Sequence, residues 1–211
     1  ICYNTFLGSN TSVDSVNNRI IRSTAIGYNA KITESNQIVL GTSLEYVFIP
    51  GYLDVSGNIN GITVGYGGGD ISSNTAIGTN ALQTNSTGVN NTAIGSGSLI
   101  NNSTGDNNIA IGYRTLTNNN ANSNVAVGTN SLANNSDGAR NSAMGTNSLK
   151  DNTTGRDNTA IGYYSGIGNI DICYNTFLGS KTSVDSVNNT ISHSTAIGYN
   201  AKITESNQIV L

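Results

Sequence analysis

The side chains of this chain that could do chemistry are few and scattered. Among its 211 residues are one histidine, His193, two cysteines, Cys2 and Cys173, and twelve carboxylates. Acid–base or hydrolytic work asks for such groups in a cluster, typically two carboxylates flanking one bond or a histidine beside a nucleophile. No such gathering is visible, because the acidic residues are spread over polar, loop-like stretches. The run Gly67-Gly68-Gly69-Asp70 is superficially like a calcium-binding turn, but it occurs once and lacks the repeated aspartates that supply oxygen ligands. No glycine-rich loop ends in a lysine that could cradle phosphate. The expectation is a protein with no catalytic residue, no metal site and no cofactor.

The elements that would have to position a site are themselves unusual. Charged residues make up only 10% of the chain, against about 25% in ordinary domains. There are 25 glycines, one proline (Pro50) and no tryptophan, and asparagine, serine and threonine fill much of the remainder. These residues favour turns over helix interiors, which predicts an all-β chain. A net charge of −3 gives no basic surface for nucleic acid or an anionic membrane. No apolar run approaches the roughly 20 residues of a membrane span, so no membrane insertion is expected in this segment. No signal peptide opens it, and the termini, Ile1 and Leu211, read as cuts through a longer polypeptide.

The chain repeats on two scales. Residues 172–211 copy residues 1–40 at an offset of 171, with 36 of 40 positions identical. Where the second copy has His193 the first has Arg22, so the histidine reads as an exposed loop residue. Inside this long unit a motif, N-T-A-I-G, closes on Gly78, Gly95, Gly112, Gly128, Gly145, Gly162 and Gly179, at spacings of 17, 17, 16, 17, 17 and 17. Gly198 follows, and the first copy has Gly8, Gly27 and Gly41. A piece of 17 residues cannot bury its apolar side chains alone, whereas stacked pieces can. The period therefore predicts a parallel β-roll or β-solenoid, one rung per motif, about 4.8 Å per rung, with two short strands and two turns in each. Three segments follow: rungs over 1–41, a neck over 42–73 that breaks the pattern, and rungs over 74–211.

Alternation along T-A-I-G puts Ile77 and Thr75 on one face and Ala76 and Gly78 on the other. The larger side chains are expected inside: Ile77, Ile94, Ile111, Val127, Met144 and Ile161, with Leu82, Leu99 and Leu116 four residues after each glycine. The flat Ala/Gly face would then be left outside and would draw chains together. This places Ala76, Ala93 and Ala110 at a homotrimer contact, with Phe6 and Phe177, which replace alanine, marking a wider or plugged layer. Cys2 and Cys173 hold the same place in successive units, tens of ångströms apart and beyond disulfide reach. Two readings stay open for each: a thiol in the rung core, or a bond between chains. Nine rungs and the neck predict an axial advance of roughly 60 Å per unit.

The phrases NTAIG, STAIGYNA and NSAMG resemble the head repeats of the YadA-like trimeric autotransporter adhesins, over about residues 1–41 and 74–211. The resemblance implies a trimeric left-handed parallel β-roll. Most units here are longer than that family's, and neither a coiled-coil stalk nor an anchor accompanies them. The arrays and the neck are also similar to those of phage and giant-virus tail or surface fibres. The expected function is a structural fibre segment, extracellular or on a virion surface. Its expected partners are itself, as a homotrimer with units in tandem, and a glycan or protein receptor on a host. The alternative is a glycan- or ice-binding repeat adhesin. Ice recognition needs an even threonine array, and the column Thr75, Thr92, Thr159, Thr176 is interrupted by Ile109, Val125 and Ser142.

Overall fold

The computed structural model describes residues 3–13, 20–41, 64–168, 170–184 and 191–211. The chain divides into two compact units, Ile1–Asp54 and Val55–Leu211. Cys2 and most of the expected neck, 42–63, lie outside the described residues, and with them the axial period that the cysteines would mark.

In the second unit the motif strands are Thr75–Ile77, Thr92–Ile94, Ile109–Ile111, Val125–Val127, Ser142–Met144, Thr159–Ile161, Thr176–Leu178, Thr195–Ile197 and Ile209–Val210. Each pairs in parallel with the next, in one sheet. Register holds every motif position above its equivalent, so Ala93 faces Ala76 and Ala110, and Phe177 lies between Ala160 and Ala196. The sheet is completed by Val64–Gly65, which pairs antiparallel with Thr75–Ile77. A single 3-10 turn, Gly68–Asp70, is the only helical element among the described residues. In the first unit Thr5–Leu7, Thr24–Ile26 and Ile38–Leu40 pair in parallel in the same manner. The architecture is the all-β parallel solenoid that the period predicts.

The motif glycine has a positive φ and no room. At Gly95, φ is +125° and an added Cβ would lie 2.5 Å from the carbonyl oxygen of Gly112 in the next rung. Only glycine lets the backbones stack through this corner.

Two expectations are corrected. The 17-residue rungs carry one strand each, not two. After the glycine the chain runs through tight turns in which Leu82, Leu99, Leu116, Leu132 and Leu149 take φ of 46–52°, and all five are fully buried. Leucine rarely adopts this left-handed conformation, and burial of the whole side chain offsets the local cost. Among the described residues a second short strand appears only outside the 17-residue rungs, where a 19-residue spacing (Gly8 to Gly27, Gly179 to Gly198) is followed by a shorter rung, as Ser183–Val184 on Lys202–Ile203 and Ser12–Val13 on Lys31–Ile32.

The face assignment is inverted. Ala76, Ala93, Ala110, Ala126, Ala143 and Ala160 point inward and are buried. Ile77, Ile94 and Val127 are only partly covered, and Ile111, Met144 and Ile161 are exposed on the outer face. The physical reason is interior width. Leucine already fills the space from the opposite wall, which leaves room for a methyl group but not for isoleucine. Leu82, Leu99 and Leu116 are inside, as expected. Phe177 is fully buried too, so it fills the roll of its own chain. The leucine column stops at Gly166, which has the same left-handed φ of 67°. In the next rung the bulk comes instead from the sheet side, through Phe177.

Candidate functional site

The interior also holds an asparagine ladder. The first residue of each N-T-A-I-G motif shares the inward face with the alanine and glycine. Asn91, Asn108, Asn124, Asn141 and Asn158 are buried beside them. The backbone N–H of Asn108 donates to Asn91 Oδ1 at 2.9 Å, and that of Asn124 to Asn108 Oδ1 at 2.9 Å. Each Nδ2 donates to a turn carbonyl, from Asn91 to Gly105 at 2.7 Å and from Asn124 to Gly138 at 2.8 Å. A second ladder runs through the N-S-T-G turns. There Asn119 Nδ2 donates to Asn102 Oδ1, Asn135 to Asn119 and Asn152 to Asn135, at 3.1, 2.7 and 2.7 Å. These amides largely meet the demand that buried polar groups be paired; Asn152 Oδ1, at the end of the second ladder, has no partner. They are structural: they bond from rung to rung and, in the second ladder, also to the carbonyl of their own turn, as Asn102 does to Gly105 and Asn135 to Gly138. In the 19-residue rungs Ser194 takes over. Its N–H donates to Asn175 Oδ1, and its hydroxyl donates to the Glu205 carbonyl and accepts from the Gln208 N–H.

Sequence reasoning assigned the asparagines to turns and missed these ladders. The signal was present: asparagine stands four residues before each of seven successive glycines, Gly78 to Gly179, while the adjacent threonine position varies. Of the N-x-S/T sequons, Asn85, Asn102 and Asn152 are buried in the second ladder, whereas Asn10 and Asn134 are exposed.

The outward face is where this molecule can meet another. Parallel stacking lines up two columns of side chains. One runs from Thr75 through Ile109 and Val125 to Thr195, and the other from Ile77 to Ile197. In the second column exposure reaches 37% at Ile111 and 51% at Met144, and Ile161 and Leu178 lie between these values. Nine rungs make the face roughly 40 Å long. Contiguous apolar surface of this kind is what soluble chains use for association.

The remaining candidates do not converge on chemistry. His193 is exposed, and its ring stacks on Tyr174 with centroids 4.9 Å apart. Cys173 is partly covered at the edge of a rung, where its Sγ accepts the Arg156 N–H at 3.4 Å. Arg140 forms a bidentate pair with Asp157, at 2.7 and 2.9 Å, which holds that carboxyl below its usual range. Asp171 is lowered as well, by hydrogen bonds from Thr154 at 2.6 Å and Thr153 at 2.8 Å. Among the described residues no three histidine, cysteine or acidic side chains gather as a metal site, and no helix is long and apolar enough to cross a membrane.

No protein-family model, no curated protein and no solved structure matches this chain.

Proposed function

We propose that this chain is a structural segment of a fibre displayed outside a cell or on a virion, and that three copies associate along it through the outward isoleucine column. The observation that carries this reading is the pairing of an interior cross-linked rung to rung by asparagine with an outer face of exposed Ile, Met and Leu side chains. The first feature gives length without a wide core. The second leaves a long apolar strip that another chain would cover. The motifs NTAIG, STAIGYNA and NSAMG add support through their resemblance to YadA-like heads and to viral fibres. The contact passes from the alanines, which are interior, to Ile111, Met144, Ile161 and their neighbours. No catalytic step belongs to this role.

Sedimentation equilibrium tests it. The chain is expected to sediment at three times its 21.8 kDa mass. Met144→Glu with Ile111→Glu is expected to return it to one, because burying unpaired carboxylates in the contact is costly. A wild-type chain that stays monomeric at high concentration, or a doubly charged variant that still forms trimers, overturns the proposal.

A further inference from the structure

A groove of about 550 Å³ lies on the turn side of the second unit, bounded by Gly97, Asn101, Arg114, Asn118, Asn134 and Lys150. None of its lining residues belongs to the outward isoleucine column. It exists because of one residue. In the column Asn80, Gly97, Arg114, Asn130, Asn147 every member has a left-handed φ, of 52–69°, and Gly97 alone lacks a side chain. The rung at Gly97 is therefore open, and its neighbours form the walls.

The lining carries two cations and no carboxylate, in a chain whose net charge is −3. Neither Arg114 nor Lys150 forms a salt bridge among the described residues; the Arg114 guanidinium lies over the Tyr113 ring at 5.4 Å. They sit two rungs apart, so about 10 Å separates them along the stack. The rest of the wall is amide and hydroxyl. Asn101 Nδ2 donates to Asn118 Oδ1 at 2.9 Å, which leaves the Asn118 Nδ2 and the exposed Asn134 amide to serve a ligand. Ile100 is the one large apolar side chain in the lining.

From this chemistry we infer that the groove binds an anionic oligosaccharide. Paired amide donors and acceptors suit a ligand rich in hydroxyls. Two unpaired cations suit acidic groups on successive or alternate sugars. A peptide would need deep apolar pockets for anchor side chains, and nucleic acid more phosphate contacts than two cations make. This deepens the receptor part of the fibre reading, yet it does not require the trimer.

The test is titration calorimetry of the full chain with three hexasaccharides: an oligogalacturonate, a heparin fragment and neutral maltohexaose. Binding of either acidic probe and at least tenfold weaker binding of the neutral one are expected; whichever acidic probe binds tells carboxylate from sulfate recognition. Arg114→Gln with Lys150→Gln should weaken binding at least tenfold, whereas Lys181→Gln, outside the groove, should not. Gly97→Asn should abolish it while leaving the melting temperature within a few degrees. Asparagine already adopts this conformation at Asn80 and Asn130, and a Cβ at Gly97 meets only Arg114 Cγ, at 3.5 Å. Sedimentation of each variant separates loss of the groove from loss of assembly. Equal binding of the neutral probe, no binding of either acidic one, or undiminished binding by the double or the Gly97→Asn variant overturns the inference.

Discussion

The 17-residue rungs of the second unit and the rungs of other lengths that follow Gly179 build the same sheet around different interiors. From Thr75 to Gly162 the filling is leucine in a left-handed turn, alanine in the strand and two asparagine ladders. From Thr176 onward it is Phe177, Ile191 and Ile203, with Ser194 and Gln208 in the polar role. The outer period and the register are kept across the junction. What is held constant is the total volume between the walls and the supply of partners for each backbone group, not the identity of the residue that supplies them.

The largest effect is expected at the junction itself. Phe177→Ala should cost about 3–5 kcal/mol, since nothing on the opposite wall can collapse into the space. The same change at Phe6 should cost much less, because Phe6 is 42% exposed in a strand that is paired on one side only among the described residues, while Phe177 is 0% exposed. Hydrogen exchange of the amides from Thr176 to Gly179 and from Thr5 to Gly8 would separate the two. Equal loss of protection at both sites would mean that the phenylalanine is not the filler.

A next effect concerns the exchange of leucine for phenylalanine. Gly166→Leu alone should overpack the rung by about 1–3 kcal/mol. Combined with Phe177→Ala it should recover part of the loss, because the leucine column would then run one rung further. A double-mutant cycle by urea unfolding measures this. Simple additivity of the two costs would break the idea of a conserved interior volume.

The polar interiors should differ by a smaller margin. Asn108→Ala removes the acceptor for the buried Asn124 N–H and the donor to the half-buried Ala121 carbonyl. About 2–4 kcal/mol is expected. Ser194→Ala leaves the Gln208 N–H and the Glu205 carbonyl nearer the exposed end of the array, and about 1–2 kcal/mol is expected. Thermal unfolding of the two variants orders them; a larger loss at Ser194 would reverse the comparison.

The smallest effect is electrostatic. Arg140 lowers the Asp157 carboxyl from its ordinary 3.8, first through the hydrogen bond and then through charge. Its folded value lies below its unfolded one. The stabilisation is therefore present above about pH 4 and fades as pH falls through the lowered value. The pair is solvent-exposed, so the slope should be shallow. Asp157→Asn should flatten the acid limb of a stability–pH curve slightly; an unchanged limb would show the pair to be silent.

The period, the parallel register and the rung glycines were legible in the sequence because each depends on spacing. The sign of the faces was not. Alternation tells that Ile77 and Ala76 point opposite ways, but which one is inside depends on the width of the roll, and Leu82 decides that from a part of the rung that does not alternate. A leucine with φ near 50° is also invisible to propensity, which assigns that conformation to glycine and asparagine. The ladder of Asn91, Asn108 and Asn124 was hidden by the same habit: asparagine reads as a turn residue, and its burial becomes favourable only when an identical side chain lies one rung away. With Ala93 inside the roll and not at a contact between chains, Ala93→Arg would place a charge in the interior.

One rung to the next is about 4.8 Å, yet the chain linking equivalent points is 17 residues long and could stretch to about 55–60 Å. Every rung therefore stores some 50 Å of slack behind a layer of strand, turn and asparagine bonds. Under tension along the stack such a layer fails as a whole, and its failure pays out the stored length and relaxes the load before the next layer is strained. A stack built this way resists load up to a threshold and then extends rung by rung, each step absorbing work, so toughness follows from the same coiling that makes the rungs thin.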